Sequence, residues 1–95
     1  MTRENRDAVM ETANVAINGS RNEEYGEPFN DFARVAALWS VLFDREFMPE
    51  DVAKALICLK LGRLSHTPAH FDSWVDIAGY SACGWDAYQD SMDIR

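Results

Sequence analysis

Long apolar runs are missing from this sequence. Nothing in it approaches the roughly 18 consecutive apolar residues of a membrane-crossing helix, and the charged start Met1-Thr2-Arg3-Glu4-Asn5-Arg6-Asp7 leads into no apolar stretch of a signal peptide. The expectation is a cytoplasmic protein with no membrane partner. Cysteine is scarce as well. The two present, Cys58 and Cys83, fall in predicted helices, about 7.5 Å apart along the axis in the hairpin register described below. That spacing argues against a disulfide and against a cysteine-based zinc site. Basic residues are outnumbered, 9 against 16 acidic ones, for a net charge of -7 and a pI near 4.6. Bulk nucleic-acid binding needs a cationic face, which this balance excludes, although a local basic pocket remains open. Walker loops, Gly-x-Gly-x-x-Gly turns, paired-cysteine zinc patterns and His-Glu-x-x-His helices are absent, and with them the well-marked catalytic classes. Strand alternation, internal repeats and low-complexity tracts are missing too.

What remains is 95 residues, 47% hydrophobic and 26% charged, the profile of one folded domain over residues 1–95 with a single modest core. Its periodicity is helical throughout. A first helix is expected from about Glu4 to Asn18, with Val9, Met10, Ala13, Ala16 and Ile17 facing inward and Gly19 ending it. The segment Gly19-Ser20-Arg21-Asn22-Glu23-Glu24-Tyr25-Gly26-Glu27-Pro28 is a polar connector, long for a helix-to-helix link. In it, Arg21 is a bidentate anion donor and Tyr25 an aromatic with a hydroxyl, both suited to phosphate and base recognition. Equally, Tyr25 could plug the core edge and Arg21 could pair with Glu23 or Glu24.

A second helix, about Asn30 to Phe43 with Asn30 as cap, repeats Phe32, Val35, Ala36, Trp39, Leu42 and Phe43 at three- and four-residue intervals. A third begins at Pro49, a favoured first position, with Glu50 and Asp51 where acids suit the dipole. It is apolar almost all round, and its stripe Asp51, Ala55, Cys58 and Gly62 is small enough for another backbone to come close. The fourth, about Asp72 to Gln89, has the same character, with the tail Asp90 to Arg95 expected to fray. Two short partners cannot cover so much apolar surface, which predicts a homo-oligomer.

The third and fourth helices carry the polar pattern of interest. On the fourth, Asp72, Asp76, Gly79 and Cys83 form one stripe; on the third, Lys60 and Arg63 sit three apart among leucines. Folding the pair back through the linker Ser65 to Phe71 brings residues equidistant from its middle to one level. Lys60 then faces Asp76, and Arg63 faces Ser73 or Asp72. A charge out of water needs such a partner, and the arrangement reads either as a structural ion-pair network or as a polar pocket for an anion, with His70 as a polar lid. Asp72 and Asp76 could instead hold Mg²⁺ through hard oxygen ligands.

The blocks Arg21-x-x-x-Tyr25-Gly26-x-Pro28, Phe32-Ala33-Arg34-Val35-Ala36-Ala37-Leu38-Trp39, Leu59-Lys60-Leu61-Gly62-Arg63-Leu64 and Pro68-Ala69-His70-x-Asp72-Ser73-Trp74-Val75-Asp76-Ile77-Ala78-Gly79-Tyr80 together resemble a small uncharacterised family encoded by tailed phages and prophages. That family in turn is distantly similar to the MazG-like all-α nucleotide pyrophosphohydrolases. The resemblance implies an all-α, four-helix bundle-like, oligomeric fold acting in the cytoplasm of a host cell. In MazG-like enzymes two acidic motifs hold Mg²⁺ and a nucleoside triphosphate; here Asp76 takes the aspartate position, Asp72 is one residue off the spacing, and Ala33, Ala36 and Ala37 stand along the helix that would carry the first acidic pair. The expectation is a nucleotide-binding protein without chemistry or cofactor of its own, a sponge for a nucleotide-derived immune signal. Its ligand-binding residues would be Arg21, Tyr25, Lys60, Arg63, His70, Asp72 and Asp76. The alternatives are a divergent Mg²⁺-dependent pyrophosphohydrolase using Asp72, Asp76 and loop glutamates as metal ligands, and an acidic module that docks on a host protein.

Overall fold

Proline at the first helical turn, small residues on inner faces and breakers between helices lay out the chain. The computed structural model describes residues 3–19 and 27–94, and among them it contains four helices and no strand: α1 (Arg3–Asn18), α2 (Pro28–Leu42), α3 (Pro49–His66) and α4 (Phe71–Ile94). The protein is all-α, as its periodicity predicts. No helix among the described residues is long and apolar enough to cross a membrane.

Two boundaries differ from the sequence reading. The start of α2 is set by Pro28 with Glu27 as N-cap residue, so Asn30 lies inside the helix, exposed. Proline needs no hydrogen-bond partner at that position and arrives with the right φ. The end of α4 runs on to Ile94 where fraying was expected, because the buried residues Cys83, Ala87 and Ser91 recur every four positions and hold the last turns down. At α3 the apolar Met48 occupies the N-cap, and Asp51 does the polar work from the far side: its carboxylate accepts the Met48 backbone N–H at 2.8 Å. Ser40 closes the turn before it, donating to the Ala36 carbonyl at 2.7 Å and accepting the Phe47 N–H at 2.9 Å.

The helices α3 and α4 form an antiparallel hairpin, the framework of the molecule. Across one half of it lies α2, which packs on both helices; among the described helices α1 packs along α4. The core joins Phe32 and Ala36 of α2, Val52 and Ala53 of α3, and Cys83 and Ala87 of α4. Trp39 packs at its edge against Phe47, ring centroids 5.9 Å apart and nearly perpendicular. Glycine lets the hairpin close. A Cβ added to Gly84 would lie 2.7 Å from the Ala53 Cβ, a distance real carbons do not share. Gly84→Val is therefore expected to cost about 1 to 3 kcal/mol, measured as a lower midpoint in urea with an unchanged slope.

Several apolar side chains lie outside this core. Met10, expected on the inner face of α1, is 62% exposed, because Ala13 is the contact point with Val9 and Ile17 beside it. Leu42 and Phe43 likewise face solvent. Among the described residues nothing packs closely on the small-residue stripe of α3: Ala55, Cys58 and Gly62 are exposed, and nothing lies within 4 Å of a Cβ built on Gly62. The close approach occurs on the opposite side of that helix, at Ala53.

Candidate functional site

Equidistance from Pro68 sets the level of the charged side chains on the hairpin. Lys60 lies eight residues before it and Asp76 eight after, and the structure joins them: Lys60 Nζ is 2.8 Å from an Asp76 carboxylate oxygen within one chain. The ammonium side chain is 11% exposed and the carboxylate 30%, so Lys60 is held in the seam by an acid that water still reaches. Desolvating a lysine this far is tolerable because the pair is short and hydrogen-bonded.

The second pairing expected from the register does not form. Arg63 and Asp72 are exposed and share no ion pair, while Ser73 is fully buried and engaged with His70. The cause is helical phase. Three residues beyond Lys60 a side chain has turned about 60° out of the seam, and four before Asp76 it has turned about 40°, so both leave for solvent. Arg21 and Tyr25 lie outside the described residues.

Freed of Asp72, Arg63 becomes part of a different grouping. With His66, Thr67 and His70 it surrounds a recess of about 350 Å³ at the bend between α3 and α4. His70 is fixed there by its own helix: the Ser73 backbone N–H donates to Nδ1 at 3.2 Å, and the Ser73 hydroxyl lies 2.7 Å from the same atom. An Nδ1 that accepts leaves the proton of a neutral ring on Nε2, directed away from the helix as a donor. The linker is tied down by Trp74, whose indole N–H donates to the Pro68 carbonyl at 2.9 Å.

A larger recess of about 560 Å³ opens between the first turns of α1 and α4, walled by Val9, Ala8, Phe71 and Trp74, with Asn5 and Arg6 at its polar side. His70 in one recess and Phe71 in the other are consecutive residues, so a basic hollow and an aromatic one share the start of α4. The sequence reading gave no ligand role to Thr67, Phe71 or Trp74. For the recess at the bend the signal was the linker Ser65-His66-Thr67-Pro68-Ala69-His70, which carries two histidines and no acid in a chain of net charge -7; the two aromatics had none.

Among the described residues, Asp76 is engaged with Lys60, Asp72 is exposed, and no cluster of three His, Cys, Asp or Glu side chains suited to a metal occurs; the loop acids Glu23 and Glu24 lie outside the described residues.

Comparison with known proteins gives a family without an assigned activity. The model described as Domain of unknown function (DUF6378) matches residues 8–88. The chain is similar to the Gene 55 protein of Mycobacterium phage D29, at 34% identity over 87 residues covering 92% of this chain and 58% of that protein. To the Gene 55 protein of Mycobacterium phage L5 it is 42% identical over 76 residues, 78% of this chain and 48% of that one. The chain thus spans about half the length of these relatives. No solved structure matches it.

Proposed function

The chain belongs to the DUF6378 domain family, which has phage-encoded members, and we propose that it binds a nucleotide or nucleotide-derived small molecule without transforming it. One observation carries this reading: the basic recess of Arg63, His66, Thr67 and His70 adjoins the aromatic recess of Phe71 and Trp74 at the first turn of α4. A nucleotide has the matching two halves, an anionic phosphate and a flat apolar base. Arg63 takes the phosphate, because it is exposed and forms no ion pair among the described residues; His70 Nε2 and the Thr67 hydroxyl supply neutral donors. Phe71 and Trp74 offer ring faces for stacking. Lys60 and Asp76 serve the site from behind by fixing the hairpin that carries it, a positioning role in place of the phosphate contact expected of Lys60.

Binding of this kind acts by sequestration. A hydrolytic variant has less behind it, since Asp76 is engaged with Lys60 and the described residues bring no third metal donor beside it and Asp72. Calorimetric titration against nucleoside triphosphates, dinucleotides and cyclic dinucleotides is expected to give saturable heat for at least one class. Arg63→Gln should weaken it about tenfold to a hundredfold, the worth of a charged hydrogen bond, with no change in melting temperature. Phe71→Ala should weaken the nucleotide but leave inorganic diphosphate unaffected. Absence of heat across the whole panel would sink the proposal.

A further inference from the structure

We infer that the outer face of α2 is covered by the same face of a second copy of this chain. Helix α2 is apolar on two sides. Its inner side holds the buried Phe32 and Ala36 against α3 and α4. Its outer side presents Leu38 at 69% exposure, Val41 at 84% and Leu42 at 72%, with Phe43 at 60% just beyond the helix end. Leu38, Val41 and Leu42 are spaced to form one ridge along a helix, yet none of the described elements covers them. A concentration of large aliphatic side chains of this kind marks a contact surface in a soluble protein.

Area identifies the size of the missing cover. The chain exposes 6615 Å², whereas a monomeric protein of 10.8 kDa exposes roughly 5500 Å². The excess over the whole surface, on the order of 1000 Å², is large enough to include the ~800 Å² that each partner loses in a stable interface. The radius of gyration points the same way, 14.3 Å against about 12.4 Å for a closed domain of this length.

Charge selects a second copy as the occupant. Between Asp31 and Asp44, α2 carries Arg34 as its one charged side chain and no acid. In a molecule of net charge -7 most other faces would repel themselves; this one brings no carboxylate toward a carboxylate. A two-fold contact is self-complementary by definition. Antiparallel pairing centred near Ser40 sets Leu38 of each copy level with Leu42 of the partner subunit, ridge beside ridge. The face lies over the half of the hairpin built from Val52, Ala53, Cys83 and Ala87, away from the recess at residues 63–74, so pairing leaves the binding site open.

Sedimentation velocity of the full chain at micromolar concentration tests this. A particle of twice the 10.8 kDa chain mass is expected, falling to the single-chain mass in Val41→Glu with an unchanged far-ultraviolet circular dichroism spectrum. Val15→Glu, which places the same charge at a 72% exposed apolar position on α1, should leave the pair intact. A wild-type chain that sediments singly at every concentration would overturn the inference, whatever else then covers the face, and so would an assembly that survives Val41→Glu. Ligand binding retained by a single-chain Val41→Glu variant keeps this result separate from the fate of the nucleotide proposal.

Discussion

Lys60→Met is expected to lower stability by about 3 kcal/mol, equivalent to a fall in melting temperature of roughly 12 to 24 °C for a chain of this length. Removing the ammonium leaves Asp76 without its 2.8 Å partner in the hairpin seam, and an uncompensated carboxylate there costs far more than the pair contributed. The figure sits at the low end of the usual 3 to 5 kcal/mol because the Asp76 side chain keeps 30% of its exposure and draws some solvation. The companion experiment is the double replacement Lys60→Met with Asp76→Leu, which removes both charges and should recover most of the loss. Thermal melts of the three variants check it. A single variant within about 0.5 kcal/mol of the parent, the scatter of ordinary surface changes, would mean that the pair does not hold the hairpin, and the positioning role given to it would fall with it.

Phe32→Ala should cost still more, about 3 to 5 kcal/mol. Phe32 is 1% exposed and is the largest side chain at the meeting point of α2, α3 and α4. The buried cluster around it consists of Ala36, Val52, Ala53, Cys83 and Ala87, with larger side chains such as Trp39, Leu56 and Tyr80 packed against it from the outside; the short inner side chains do not fill the space a phenyl ring vacates, so a cavity persists. Replacement by Leu should cost less than half as much, since most of the volume is retained. Urea denaturation followed by tryptophan fluorescence measures both, and equal losses for the two variants would show that the site collapses freely.

The two predictions rest on features of different legibility. The Lys60–Asp76 pair could be read from the sequence because distance from a turn fixes the level of residues on a hairpin, and an ammonium among leucines demands a partner. Arg63 lies level with Ser73 and within one residue of Asp72 by the same count, yet it pairs with neither, because level says nothing about angular direction; three and four residues of helix turn a side chain out of the seam. The start of α3 followed from Pro49. Pro28 carried the same signal for α2, but Asn30 two positions later offered a competing cap, and the proline's advantage prevailed. The inner faces were harder. On α1 and α2, apolar residues outnumber the positions that face the hairpin, so periodicity alone assigned Met10, Leu42 and Phe43 to a core that lacks room for them. The recess at the bend was read in part, through Arg63 and His70; its grouping with Thr67 and its place beside Phe71 and Trp74 were not, because they depend on the capping geometry of His70 and the tether from Trp74 to Pro68.

Because α1 rests on α4 and on no other described helix, it is the segment that detaches at least expense while the rest of the molecule stays folded. Its first turns supply Val9 and Ala8, one wall of the aromatic recess. Under the proposed binding mode, occupancy of that hollow and attachment of the amino-terminal helix would be linked equilibria: a guest stacked on Phe71 and Trp74 would fasten α1 in place, and an excursion of α1 would let it go.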